Sequence, residues 1–545
     1  MYSAIVSTVL CSVLTAQVTP TIGVPYDAVE LCYADALQSP NPQTLRYIWI
    51  SGKLSKDLLD DAKIVSYELN LISRSQNRYR PAILVSDKVM VLRVDLEFLT
   101  RDRKELLELM DVFELFRFDP KFSTLITKGS LKLGKIEPTG VSRKVVTQSF
   151  GQRRIVEESA KTALDRDGVL RFVPDHVGPK WTLLANLLQT EAPVIEHKYF
   201  TYRSMLSIQD KGLYKSVYGG LYYQLAGIPT SKDQKKQTDL DVLLESLGVG
   251  GRGKTAKQIF EELTSDLRTA MFKSKVTDRL RVIEVHPILT GRGFAAWFRI
   301  TSDIAKGGID VDDSPIANLL DGIKPKAREA IWTRSNGMPG FALFNGDGKL
   351  QESAPDDTVR DGRSRPPQLS VIESCFTCIR CHSVYDNWQE TTNDVKKMIE
   401  SRKIDILGDL SRKDNRDAVT RIAGLYLGDF SDVARDSRNK YVQHIYNITG
   451  PWSRSKDQTD LARIVSNEMD NIMQRYYHTA VTPKIALEEM GYAVDEKTAA
   501  DFLAKKVVGL DNRDVIITDS RLAGLLSNLA INRYEWDLLY SNIMR

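Results

Sequence analysis

The sequence predicts an α+β fold in which helix predominates. An N-terminal helix and hairpin region leads into a helical middle and then a helical C-terminal part built around a cysteine–histidine cluster. Three observations carry this reading. Apolar residues recur every three to four positions beyond residue 391, as in RDAVTRIAGLYLGDF, TDLARIVSNEMDNIMQRYY and EKTAADFLAKKV. Two β-branched runs flank Ser86-Asp87-Lys88 in PAILVSDKVMVLRVDL, the mark of a hairpin. Three cysteines and a histidine fall within the stretch SCFTCIRCHS, residues 374–383.

The 545 residues leave room for two to four domains and a large core. Hydrophobic content of 42% and charged content of 27% are those of a globular chain, not a disordered one. With 75 basic against 71 acidic residues the net charge is +4, and no dense basic block stands out. That argues against a nucleic-acid partner.

Residues 1–17, MYSAIVSTVLCSVLTAQ, have the apolar run and small residues near Ala16 of a secretory signal, although Lys and Arg are missing ahead of the run. The alternative is an apolar N-terminal strand or helix. No other run approaches the roughly 18 apolar residues of a spanning helix, so no transmembrane segment is expected in the mature chain.

Residues 25–150 form the N-terminal α+β region, with LSKDLLDDAKIVSYELNLISRS as a helix ahead of the hairpin. Residues 155–350 read as a mixed, mainly helical region. Its first part, to 280, is helices and polar loops, including an exposed insertion SKDQKKQTD (231–239). From 280 to 350 strand-like and helical signals mix, and GFALFNGDGKL (340–350) is a hairpin turning on Asn345-Gly346-Asp347-Gly348. The Pro-, Gly- and charge-rich stretch QESAPDDTVRDGRSRPPQLS then delivers the chain to the cysteine cluster, which opens a helical region over 351–545.

GVGGRGKT (248–255) matches the phosphate-binding pattern Gly-x4-Gly-Lys-Thr. A true phosphate loop follows a buried strand and opens a helix. Here LDVLLESL precedes it with helical spacing and two acidic groups, so a loop between helices is the better reading. By chance the pattern arises roughly once in fifty such sequences.

The Cys-His cluster is far more specific, since Cys378-Ile379-Arg380-Cys381-His382 is a C-x-x-C-H haem attachment pattern expected by chance roughly once in two thousand such sequences. Two thiols separated by two residues can add to the two vinyl groups of one porphyrin edge. The adjacent imidazole then lies under the ring and reaches iron. Cys375 and Cys378 form a second C-x-x-C, but Ile379 follows it, so only the later pair has an axial ligand in place. Zinc held by three thiolates and one imidazole is the main alternative, although the four positions crowd one short stretch. A redox C-x-x-C is the third, and it normally opens a helix in a small βαβ fold. Cys375, surplus to haem attachment, could pair with Cys32 in an oxidising compartment.

The surroundings of the motif carry a resemblance. IWTRSNGMPGFALFNGDGKLQESAPDDTVRD followed by SCFTCIRCH resembles a family of bacterial exported proteins with a c-type cytochrome domain, found in Planctomycetes and related groups. TLRYIWIS (44–51), SRSQNRYRPAILVSDKVMVLRVDL (73–96), EAPVIEHKYF (191–200), EVHP (284–287) and VTPKIALEEMGY (481–492) look like that family too, so the similarity spans most of the chain. Cys375 and the leader without basic residues depart from it. The resemblance implies a cytochrome c-like C-terminal part and one covalent haem c attached outside the cytoplasm, but no fixed reaction. Cys378 and Cys381 become the thioether residues and His382 the proximal iron ligand.

An electron-transfer haem usually takes a second protein ligand, Met or His. Among His176, His197, His286, His444, His478 and eleven methionines, His286 ranks first, ahead of Pro287 in a family-like segment. Met338 ranks second, in the hairpin before the haem loop, and Met398 third. The leading expectation is a monohaem c-type cytochrome, periplasmic or exported, that exchanges electrons with a redox partner protein. Two alternatives stand: a peroxidase-like haem enzyme or sensor with an open distal site, and a zinc-stabilised interaction protein.

Overall fold

The structure is a computed structural model. It describes residues 26–51, 56–116, most of 178–246, 327–354, 372–382, 431–450, 461–489 and shorter pieces near 255–262 and 497–536, with strand backbones within 142–158 and 268–302. The apolar leader at 1–17, the glycines of GVGGRGKT and the helix expected over 416–430 lie outside the described residues.

The first sheet has strand order β2-β3-β1-β6. Its members are β1 (Leu45–Ile50), β2 (Ala82–Val85), β3 (Met90–Asp95) and β6 (Val194–Glu196), with a separate pair, β4 (Ser142–Thr147) and β5 (Arg153–Glu158), between them in sequence. β2 and β3 make the expected hairpin, with Val85 opposite Met90. β3 runs antiparallel to β1, and β6 joins β1 in parallel, with Tyr47 opposite Val194.

Alternation along these strands splits the interior in two. Leu45, Tyr47, Val89, Val91 and Val194 point to one face. There they meet Cys32 of α1 (Tyr26–Ala36) and Leu184, Ala185 and Leu188 of α4 (Gly178–Leu188). Ile48, Ile50, Met90, Leu92, Val94 and Ile195 point the other way, into the larger core.

At the centre of that larger core is α2 (Lys56–Ile72), a helix buried almost all round. The sequence gives it mixed charge, yet Asp60, Asp61, Ser66, Glu68 and Asn70 are all buried. Each such group needs a partner to be tolerated. Asn70 shows how this is met: its amide donates to Ser66 O and Tyr79 O, and its carbonyl accepts from Tyr79 N.

The second sheet is a six-stranded antiparallel array, β14-β13-β12-β11-β10-β9. After two short strands, β7 (Ile208–Gln209) and β8 (Val217–Tyr218), it comprises β9 (Arg268–Lys273), β10 (Leu280–Thr290), β11 (Gly293–Ser302), β12 (Ala327–Thr333), β13 (Pro339–Asn345) and β14 (Leu350–Gln351). Between 280 and 350 the described chain is strand joined by turns, where the sequence showed mixed signals. Pro287 within β10 lies opposite Ala296 of β11, past the last pair with β9 at Val285. The 340–350 hairpin forms as expected, with Gly348 at φ +77° in its turn.

The turn between β12 and β13 ties this sheet to α2. Arg334, 4% exposed, donates to Leu71 O at 2.7 Å and to Ala226 O at 2.8 Å, and Asn336 donates to Asn70 O at 2.8 Å. Buried side-chain donors thus satisfy carbonyls at the ends of α2 and of α6 (Tyr222–Leu225), which follows α5 (His197–Met205) in the chain. Arg74 does the same for Leu225 O and Gln224 O, with its guanidinium also on Glu108 of α3 (Arg103–Phe113). One core cluster consequently contains residues from Ile48 to Tyr476, drawn from every expected region.

LDVLLESL lies on a helix, α7 (Asp239–Ser246), so a helix and no strand leads toward GVGGRGKT. The C-terminal helices α8 (Phe376–His382), α9 (Ser431–Thr449) and α10 (Leu461–Tyr477) complete the larger core. The described chain is therefore α+β. Among the described residues, no helix is long and apolar enough to cross a membrane.

Candidate functional site

The cysteine cluster forms a tight turn followed by a short helix. Cys375 has φ +75°, the left-handed region, and α8 starts at the next residue. Cys378, Cys381 and His382 all lie on α8. Three residues at about 1.5 Å rise each put Cys381 nearly one turn beyond Cys378, on the same side of the helix. The side chains of Cys381 and His382 lie outside the described residues.

What is described of α8 is deeply packed. Phe376, Thr377 and Ile379 are each 1% exposed and Cys378 is 8% exposed. The helix lies against α10, whose Met469, Ile472 and Met473 are fully buried in the same core cluster. At the edge of this contact Arg380 Nε stands 3.6 Å from Asp470 Oδ1, with its guanidinium over the Phe376 ring. Cys375 donates its S–H to Met205 Sδ at 3.3 Å. Burial pushes the Cys375 thiol far above the usual range, reinforced by Cys378 and Glu68 nearby.

The Cys32–Cys375 bridge expected from sequence does not form. Both cysteines are free and fully buried. Cys32 packs with α4 on one face of the first sheet, whereas Cys375 belongs to the core on the other face. The sheet separates them.

Of the two candidate distal ligands, Met338 is fully buried and shares the core cluster of Cys375 and Cys378. His286 sits in β10 opposite Trp297, and its side chain lies outside the described residues, as does all of Met398. The donor set therefore suits a haem c in residue type, order and backbone placement: two thiols a turn apart on one helix, an imidazole next to the second, and an apolar wall from α10.

A second constellation went unassigned at the sequence level. His197, fully buried at the start of α5, has Nε2 3.2 Å from Asp61 Oδ2 and Nδ1 3.1 Å from Glu196 Oε1. Arg475 of α10 donates to Asp61 Oδ1 at 2.7 Å, Lys198 donates to Ser51 Oγ at 3.1 Å, and Ser51 Oγ–H donates to Glu196 Oε1. Burial on its own would strip His197 of its proton, but Glu196 and Asp61 reverse that and hold its pKa above the usual range. Burial likewise works against ionised Asp61 and Glu196, and their cationic neighbours win: His197 and Arg475 for the one, His197 and Lys198 for the other. Four elements of the chain, α2, β6, α5 and α10, and the residue that follows β1 meet in this charged joint. The adjacent Glu196-His197 pair after a β-branched run was the sequence signal, but Ser51 and Asp61 are 146 and 136 positions away from His197.

Comparison of the chain with protein-family models, with curated proteins and with solved structures finds no match.

Proposed function

We propose that the chain is an exported c-type cytochrome holding one haem through thioether bonds from Cys378 and Cys381, with His382 as the proximal iron ligand. The observation that carries this reading is that all three lie on one short helix, α8, whose described side chains are embedded in apolar core. When bound, haem supplies a one-electron iron couple. The chain contributes the rest. Cys378 and Cys381 anchor the porphyrin edge against loss, and His382 offers a neutral ring nitrogen. Met469, Ile472 and Met473 of α10 provide an apolar surface that keeps water from α8. Met338 stands ahead of His286 as distal ligand because it shares the core of Cys378.

The reading predicts electron exchange with a redox partner protein outside the cytoplasm. The test is a haem stain of the denatured full chain made in cells that mature haem c, beside Cys378→Ala/Cys381→Ala. Covalent haem in the parent and none in the variant is the expected result. A parent chain without covalent haem overturns the proposal. In the loaded protein, a reduced spectrum indifferent to CO and cyanide is expected from six-coordinate iron. Rapid CO binding would instead assign an open distal site and an enzyme or sensor.

A further inference from the structure

Two sulfurs meet at the base of α8, and a third belongs to the first turn of that helix. Cys375 Sγ and Met205 Sδ are 3.3 Å apart, and both side chains are buried, 0% and 1% exposed. Cys378 follows one turn later, 8% exposed and in the same core cluster, with Ile379 N donating to Cys375 O to close that turn. Two elements distant in sequence build this cluster: α5 supplies the thioether from its last residue, and the turn before α8 supplies the first thiol. Tyr222 of α6 hydrogen-bonds the Cys375 sulfur, while its own hydroxyl accepts from Phe341 N at 3.0 Å. The buried guanidinium of Arg334, held on Leu71 O and Ala226 O, lowers the pKa of the same thiol by its charge.

We propose that Cys375, Met205 and Cys378 bind one Cu(I) ion in the chain to which haem has not been attached. Two sulfurs 3.3 Å apart can reach a single ion at a metal–sulfur length of about 2.3 Å, subtending an angle of about 90°. That leaves a third position on the side of Cys378. A thioether is a soft donor, which selects Cu(I) over zinc, calcium or magnesium. The site is enclosed by apolar core, where a soft ion with sulfur ligands needs no water. Binding replaces two S–H protons, which leave to solvent, and forms two copper–thiolate bonds and one copper–thioether bond with no change of oxidation state. The resulting complex carries one negative charge, which the positive charge of buried Arg334 offsets.

The site shares Cys378 with the haem reading but goes beyond it. Thioether formation at Cys378 removes that thiol, so copper-loaded and haem-loaded chains are alternative states. The test uses the full chain produced without haem c maturation, reduced and titrated with Cu(I) against a chromophoric Cu(I) chelator. One equivalent is expected to bind. Cys375→Ser and Cys378→Ser should each weaken binding at least a hundredfold, Met205→Leu at least tenfold, and Cys32→Ser, on the other face of the first sheet, should leave it unchanged. X-ray absorption should show copper surrounded by sulfur alone.

Met205→Leu nearly conserves volume and apolarity and so keeps the test decisive if the cysteine variants fail to fold. Wild-type affinity no tighter than that of Cys375→Ser would overturn the site and leave the close sulfur pair as core packing. So would affinity indifferent to Met205→Leu, or as sensitive to Cys32→Ser as to Cys378→Ser. The haem stain is a separate measurement on a separate preparation, so failure of either reading leaves the other standing or falling on its own result.

Discussion

The imidazole of His444 lies directly on the backbone of Gly337. A Cβ built on that glycine would stand 1.9 Å from His444 Nε2, and the residue's φ is +87°. Two independent constraints therefore exclude a side chain at the tip of the turn that holds Met338 and caps α2. Gly337→Ala should lower unfolding free energy by about 2 kcal/mol or more, from left-handed strain and the overlap together. His444→Ala in the same chain should recover the part due to overlap and not the part due to strain. Chemical denaturation of the two single variants and the double variant measures both. Additive losses would show that the imidazole moves aside freely.

Two buried or half-buried histidines should pull stability in opposite directions over one pH range. His197 has its pKa raised above 6.5, so its contribution is complete below pH 6.5 and is lost as pH rises through the folded value. Asp61 and Glu196 have theirs lowered, so their contributions hold above ordinary carboxylate values and are lost as pH falls through the folded ones. The joint is fully charged between about pH 5 and 6.5. His444 is pushed down to about 4, by burial first and then by Arg78 and Lys440, so it costs stability as pH falls from 6.5 toward 4. Melting curves across pH should show His197→Gln most damaging near pH 5.5 and less so in alkali. His444→Gln should help at pH 4.5 relative to pH 7. Parallel pH profiles for the two variants would contradict this assignment.

Glu68 is a fully buried carboxyl whose Oε2 accepts from Thr201 Oγ1 at 2.9 Å. Burial raises its pKa to about 8, so the folded protein carries it as a neutral acid at pH 7. The unfolded chain releases that proton near 4.5, so stability falls as pH rises from 4.5 through 8. Glu68→Gln should therefore stabilise the protein at pH 7 by as much as about 3 kcal/mol. The advantage should vanish at pH 4. Titration of the carboxyl by infrared difference spectroscopy offers a direct check, and a value near 4 would remove the basis for the gain.

Arg334 joins the second sheet to α2 through two buried carbonyls. Arg334→Met keeps apolar volume but removes both donors, and should cost about 3 kcal/mol. Arg334→Lys retains the charge yet lacks the fork that reaches Leu71 O and Ala226 O together, so its loss should fall between the two. Urea midpoints at constant slope decide this. Equal losses for Met and Lys would show that charge contributes nothing at this position.

Much of the local structure could be read from the residues. The hairpin around Ser86-Asp87-Lys88, the turn at Asn345–Gly348 and the helix over TDLARIVSNEMDNIMQRYY follow from periodicity and turn chemistry, which act over a few neighbouring positions. The grouping of Cys378, Cys381 and His382 on one helix was legible for the same reason, since they lie within five positions. Tertiary structure decided the rest, because packing brings together residues whose separation no local pattern encodes. The first sheet stands between Cys32 and Cys375 and forbids the bridge that cysteine count favoured. The partner that Cys375 finds instead is Met205, 170 positions away. His197 gains its two carboxylates, and the mixed-charge helix α2 is tolerated at the centre of the core, only because distant segments deliver matching polar groups to it. Sequence alone determined which thiols and which imidazole share one short stretch. The fold determined which other sulfurs and charges surround them, because burial removes water and leaves each polar group dependent on whatever neighbours the packing supplies.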